Sequence, residues 1–354
     1  MPGLAGVDSS KGCQLARLVV MTNREIAFHL MLLVLLLLGG TGFYSYQKSP
    51  AMVPALIAYL DSDSLRERQA ATARLQELGN RARESAPRLL ALTSNLKSPD
   101  AQAATQALSR IDLPAARQAM DAARLGLDAT DLNTRRRAAE ILGGLGFLAR
   151  PAVPNLAVAA QSDDGVVRDR SLSALGRIGI PVDQVLPALI RGLDDPVDHV
   201  RYVAVVAIES VPPALASEAL PALQRLAADS QLGIGQRARH VLARLGERRD
   251  LTVELNVARY MVGRAGETES QLYTLHRLAL LGPSAAPLLP ELTTLFAAAN
   301  DIVRLAAIET LAAIGPPAGS ALPALRLLGD DRDPVIREAA RYALARIGEA
   351  EAQR

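Results

Sequence analysis

PALIRGLDDPVDHVRYVAVVAIESVP, residues Pro187–Pro212, decides the fold, because it is one copy of a unit that recurs along most of the chain. Two further clear copies are PNLAVAAQSDDGVVRDRSLSALGRIG at Pro154–Gly179 and PALRLLGDDRDPVIREAARYALARIG at Pro323–Gly348. In the quoted unit Pro187 stands at a first helical position, where its missing N–H goes unpaired in any case. Leu189, Ile190 and Leu193 share one face of that helix. Asp194-Asp195-Pro196 ends it, since the residue before a proline avoids the αR region. Val200, Ala204, Ala207, Ile208 and Val211 then mark a second helix. One unit is an antiparallel helix pair, with no strand-like alternation.

Working outward, the closing glycine or its substitute falls at Gly79, Asp112, Gly146, Gly179, Pro212, Gly246, Gly282, Gly315 and Gly348. Those are nine copies spaced by 33 to 36 residues. Periods of that size mean stacked repeats, each unable to bury its apolar face alone. Aromatics are only 3% of the chain, so the shared core is aliphatic. Alanine and glycine at inter-helix positions let the layers approach closely. The expectation is an all-α, rod-like α-solenoid of about nine helical hairpins over residues 50–348. A short C-terminal tail follows at 349–354.

An Arg lies eleven residues before the closing position in six units: Arg68, Arg135, Arg168, Arg201, Arg304 and Arg337. Acids stand shortly upstream at Asp61, Asp128, Asp163, Asp194, Asp301 and Asp331. A guanidinium fork suits a turn carboxylate or the carbonyls of a neighbouring layer. Such a row reads either as an anion-binding track or as a lock between layers, each Arg arriving with its own acid. Three units depart, with Ala101, Gly235 and Gln271 at that position. The seventh also lacks the opening proline and carries a longer turn, VGRAGET at Val262–Thr268, which makes it the place to look for a kink.

The pattern of proline, aliphatic pair, Asp-rich turn, Val-Arg, Ala-Ala and Leu-Gly-x-Ile-Gly resembles the HEAT family, and most nearly the short HEAT-like repeats also found in phycobilin lyases. The resemblance covers about residues 50–348. It implies that the Asp/Arg positions form a structural ladder between repeats. It also implies a concave side lined by second helices, where the first, second and fifth positions after the ladder Arg face outward. In the fourth unit those are Asp169, Arg170 and Ser173; in the fifth they are Tyr202, Val203 and Val206, and the ninth adds Tyr342. An exposed tyrosine among aliphatic groups suits a contact centre. Tyr202, Val203, Val206 and Tyr342 are therefore candidate partner-binding residues, with tighter packing on a neighbouring repeat as the alternative.

Residues Ile26–Tyr46 hold no formally charged side chain and centre on LMLLVLLLL at Leu30–Leu38. Twenty-one residues at about 1.5 Å each span about 30 Å, the thickness of a bilayer's hydrocarbon core. Phe43, Tyr44 and Tyr46 stand where aromatic rings favour the interface. Lys11, Arg17 and Arg24 precede the segment, while only Lys48 follows closely. The positive-inside bias then makes 1–25 a cytoplasmic tail and 26–46 a transmembrane signal-anchor helix. It puts the repeats outside a bacterial cytoplasmic membrane. A cleaved signal peptide, with translation from Met21 in place of Met1, is the competing reading. Cys13 is the single cysteine and precedes the span.

The first 48 positions carry four basic and two acidic residues, which leaves 35 of each sign in the remainder. A net-neutral solenoid is a poor binder of nucleic acid. His29, His199, His240 and His276 are scattered, and none is followed by Glu. There is no HExxH, CxxC or phosphate-cradling glycine loop. No catalytic, metal or cofactor site is expected, and the chain does not read as an enzyme. The functional expectation is a membrane-anchored scaffold or adaptor for a protein or peptide, with the bilayer as its second partner through 26–46. A phycobilin-lyase-like enzyme or accessory and a tethered regulatory subunit of a membrane complex are the other readings.

Overall fold

A computed structural model describes residues 50–211, 215–228, 232–246, 251–264, 267–298 and 300–348. The expected span at 26–46, the tails at 1–25 and 349–354, Cys13 and the closing Pro212 lie outside the described residues. Among the described residues there is no strand, and no helix is long and apolar enough to cross a membrane.

Among the described residues eighteen α-helices follow one another as nine hairpins. Hairpins 1 to 3 are α1 (Val53–Tyr59) with α2 (Leu65–Leu78), α3 (Ala86–Thr93) with α4 (Pro99–Ile111), and α5 (Leu113–Gly126) with α6 (Leu132–Gly144). Hairpins 4 to 6 are α7 (Val153–Ala159) with α8 (Gly165–Ile178), α9 (Val182–Gly192) with α10 (Asp198–Glu209), and α11 (Leu220–Ala227) with α12 (Leu232–Gly246). Hairpins 7 to 9 are α13 (Leu251–Val262) with α14 (Thr268–Leu281), α15 (Leu289–Thr294) with α16 (Asp301–Ile314), and α17 (Leu322–Leu327) with α18 (Pro334–Gly348).

The closing glycines earn their place by backbone geometry. Gly79, Gly146, Gly179, Gly282 and Gly315 all have positive φ, between 54° and 70°, which L side chains resist. Asp112 closes the second hairpin differently: it is extended, and its carboxylate caps α5 by accepting from the Ala115 amide at 3.0 Å. Pro154, Pro221, Pro290 and Pro323 sit in the first turn of their helices, as the repeat pattern requires. Pro187 does not. Helix α9 begins a turn earlier, at Val182, and Pro187 falls inside it. Its ring lacks the N–H that would donate to the carbonyl of Asp183, a tolerable loss near a helix start.

Leu189, Leu193, Val200, Ala204, Ala207, Ile208 and Val211 are buried, one hairpin's share of the aliphatic core. The layers approach closely where two small residues meet. A Cβ on Gly143 would lie 2.9 Å from the Ala174 Cα, and one on Gly176 would lie 2.6 Å from the Ala207 Cβ. These are the same contact repeated one unit on.

Successive second helices pack on one another from α2 to α12 and again from α14 to α18. The step from α12 to α14 lacks comparable packing among the described residues, and it falls at the irregular seventh unit. Beyond it the chain turns back. Helix α18 packs against α5, and α16 packs against α4 and the Gly146–Ala152 turn. Residues 56–354 thus form one compact unit in place of the expected open rod. Helix α16 lies inside that unit, with twelve of its fourteen residues buried, Asp301 and Glu309 among them.

Candidate interaction surface

The arginines at the repeat's fixed position lock the layers, but with a partner set that the sequence reading misplaced. Arg168 forks onto Asp195 of the next hairpin at 2.7 and 2.9 Å and donates to the Ser162 and Asp163 carbonyls of its own turn. Arg304 does the same to Asp331 at 2.8 and 3.0 Å. Arg68 reaches Asp100 at 2.9 Å and the Ser62 and Asp63 carbonyls. Arg201 and Arg337 keep the carbonyl half, on Asp195 and on Asp331 with Arg332 respectively. Asp100, Asp195 and Asp331 therefore each serve the Arg of the preceding repeat, while Arg304 also meets its own Asp301 at 3.1 Å. Arg135 is the exception. Its neighbour Arg136 takes the next hairpin's acid, Asp164, at 2.7 and 3.1 Å. Gln271, in place of Arg, keeps a carbonyl bond, with Nε2 donating to Val262 at 3.0 Å.

These pairs set the electrostatics of the turns. Burial pushes the carboxyls of Asp195 and Asp331 up, but the arginine fork and a turn amide outweigh it, and both end below the ordinary aspartate range. Asp164 is held low chiefly by its bond from Arg136. A depressed carboxyl adds stability above its unfolded value and loses it as pH falls through the folded one, so the ladder is intact at neutral pH.

Tyr342 is not a free contact residue. It lies flat beneath the Arg150 guanidinium, 3.5 Å from ring centroid to carbon, in the seam where hairpins 7–9 return. The seam carries a regular charge pattern. Arg83, Arg117 and Arg150, at equivalent places in successive units, meet Asp301 (3.5 Å), Glu338 (2.8 Å) and Glu309 (2.6 Å). Arg110 meets Glu269, and Asp183 faces Arg346 at 3.8 Å with the signs reversed. Glu338, Glu309 and Tyr342 occupy the first or fifth place after their ladder arginines. The resemblance did pick a contact face, but in hairpins 8 and 9 its partner is the chain's own first arm.

His276 is half-buried in the same seam, edge-on to Phe147 at 5.3 Å and against Gly179. Burial, with the Arg277 charge, lowers its pKa to about 4. The unfolded chain takes up this proton near pH 6.5 and the folded chain only near 4. Stability is therefore complete above 6.5 and falls by up to about 3 kcal/mol as pH drops through that window. Urea titrations between pH 7 and 4.5 should show the loss, and His276→Leu should flatten it.

Tyr202, Val203 and Val206 stay on an open surface. Tyr202 is 39% exposed and the two valines are half-buried. His199 stands beside Tyr202 with ring centroids 6.4 Å apart, and its Nδ1 lies 2.8 Å from buried Asp169 of α8. Arg170 extends the face towards Glu140, while Glu209 gathers Arg237, Arg244 and His240 on the other side. The result is an apolar centre with a charged rim of both signs. Sequence reasoning missed Arg117, Arg150, Glu309, Glu338 and His276. The one available signal was the recurrence of arginine at 83, 117 and 150, which also describes an ordinary solvated edge. Among the described residues no group of His, Cys, Asp and Glu is arranged to hold a metal ion.

Comparison with known proteins agrees with this architecture. No curated protein matches the chain. One similar solved structure is the crystal structure of an engineered protein, 19% identical, covering 83% of this chain and 88% of that one, with a TM-score of 0.37. That likeness is too slight to argue from. The family model for HEAT repeats matches residues 120–209 and 265–353, half of the chain, across hairpins with the stacked geometry described above. The chain belongs to the HEAT-repeat family.

Proposed function

We propose that the protein is an adaptor that holds a protein or peptide partner on the second-helix face of hairpins 4–6, centred on Tyr202. The observation that carries this reading is the contrast between two stretches of equivalent surface. In hairpins 8 and 9 the face is covered by the chain's own first arm, whereas around Tyr202, Val203 and Val206 it is open. An aromatic ring at the centre of a half-exposed apolar patch, rimmed by ionic groups, has the make-up of a binding hot spot. Tyr202→Asp combined with Val206→Asp should abolish recovery of crosslinked partners from native membranes while the helical circular dichroism stays unchanged. An unchanged set of crosslinked partners would remove this face from consideration.

The uncharged span at 26–46 supports a tether in a bacterial cytoplasmic membrane, with the repeats on the outer side. Protease added to intact spheroplasts should then degrade the repeats. Sparing of the repeats would contradict that orientation, and release of the whole chain without membranes would favour export after cleavage. No observation on the described residues favours the lyase-like or regulatory readings.

A further inference from the structure

Arg135 is a ladder rung whose carboxylate is missing. It occupies the same place in its helix as Arg168 and Arg304, four residues after the N-cap. Those two find their acids 27 residues further on, at Asp195 and Asp331. The residue 27 beyond Arg135 is Ser162. Ser162 keeps the turn-forming half of that position: its Oγ accepts from the Asp164 amide at 3.3 Å, as Asp195 accepts from Val197 and Asp331 from Asp333, each at 2.9 Å. The half that would receive a guanidinium is absent. Both oxygens of nearby Asp164 are taken by Arg136. Arg201 also has no acid ahead of it, yet it satisfies itself on Asp198 at 2.7 Å. At the matching place before Arg135 stands Leu132.

The Arg135 Nε is buried without a hydrogen-bond partner, and no ion pair reaches this guanidinium among the described residues. It borders a cleft of about 450 Å³ between the turns of hairpins 3 and 4. Leu127, Val158, Ala159 and Val167 supply aliphatic walls, and Asp128, Gln161 and Ser162 supply the polar ones. Val158 is 68% exposed at the cleft, an open apolar wall beside an unmatched cation.

We infer that this cleft binds the C-terminal carboxylate of a peptide or protein chain ending in an aliphatic residue. The carboxylate completes the rung, meeting Arg135 as Asp195 meets Arg168, with two bonds of 2.7 and 2.9 Å. The aliphatic last side chain lies on exposed Val158. Only a chain terminus brings both groups within one residue. Asp128 and the Gln161 side-chain carbonyl, both lining the cleft, accept from the backbone amides of the last residues. The site is separate from the Tyr202 face and does not depend on it.

The test uses the full-length protein and fluorescence anisotropy of a labelled Gly-Ser-Ala-Leu peptide. Its arms are the free acid, the C-terminal amide, and a Gly-Ser-Asp-Leu amide that offers an internal carboxylate. The free acid should bind at least about tenfold more tightly than either amide, as loss of a charge-assisted pair implies. Arg135→Gln should remove that preference. Ser162→Asp should close the rung from within, weakening the free acid by about tenfold while raising the melting temperature. Tyr202→Asp should leave peptide binding unchanged, which separates this site from the adaptor face. Equal binding of acid and amide, equal binding of the internal-Asp peptide, or wild-type binding by Ser162→Asp would each overturn the assignment.

Discussion

Replacing Arg150 with methionine is expected to destabilise the folded chain by about 3–5 kcal/mol and to release hairpins 7–9 from the first arm. Arg150 is 12% exposed and its partner Glu309 only 4%, so the substitution strands a carboxyl deep in the seam. Burial already pushes the Glu309 carboxyl up, and the Arg150 charge is the main influence pulling it back. The Glu309 carboxyl is already raised with Arg150 in place, and without it rises further. The variant, which keeps His276, should therefore lose less stability than the wild-type protein as pH falls from 7 to 5. The double variant Arg150→Met with Glu309→Leu removes both charges and should recover most of the loss, since an apolar pair of similar volume suits the site. Urea unfolding of the two variants at pH 7 and pH 5 reads all of this. A cost below about 1 kcal/mol for Arg150→Met would mean that the seam does not hold the arms.

Gly176→Leu is expected to cost about 3 kcal/mol by forcing α8 and α10 apart. Even a methyl group there would sit 2.6 Å from the Ala207 Cβ and 3.1 Å from its Cα, so Gly176→Ala already requires a backbone shift. Gly319→Ala is the matched control, because nothing lies within 4 Å of the position its Cβ would take. It should be near neutral. If Gly176→Leu were as mild as the control, the layers would be further apart than the packing of α8 on α10 describes.

The repeat was legible because each hairpin is a local object. Proline, the Asp-rich turn, the apolar face and the closing glycine all fall within one unit, and five of those glycines adopt the positive φ that only glycine takes easily. The turning point was legible too, as the long turn and missing proline of the seventh unit. What lay beyond reach was the destination of the return. The pair Arg117–Glu338 joins residues 221 apart, and nothing local to either marks it. The same holds for Tyr342, whose position reads as an outward contact until Arg150 arrives from another arm. The ladder sat between these cases. Its arginines were visible, but the acids they fork onto belong to the next layer, so Asp331 was given to Arg337 in place of Arg304, Asp194 was named where Asp195 acts, and Arg136 was passed over for Arg135. The gap at Ser162 shows only once the other rungs have been seen closed.

The array of hairpins doubles back on itself, and a double electron–electron resonance distance across the seam tests this most directly. Spin labels at exposed Gln118 and Arg341, each replaced by cysteine in a Cys13→Ser background, flank the Arg117–Glu338 pair. The returned arm predicts a single short distance below about 30 Å, whereas six layers of an open array at 8–10 Å each place the labels about 55 Å apart. A distribution centred on the longer distance would contradict the account.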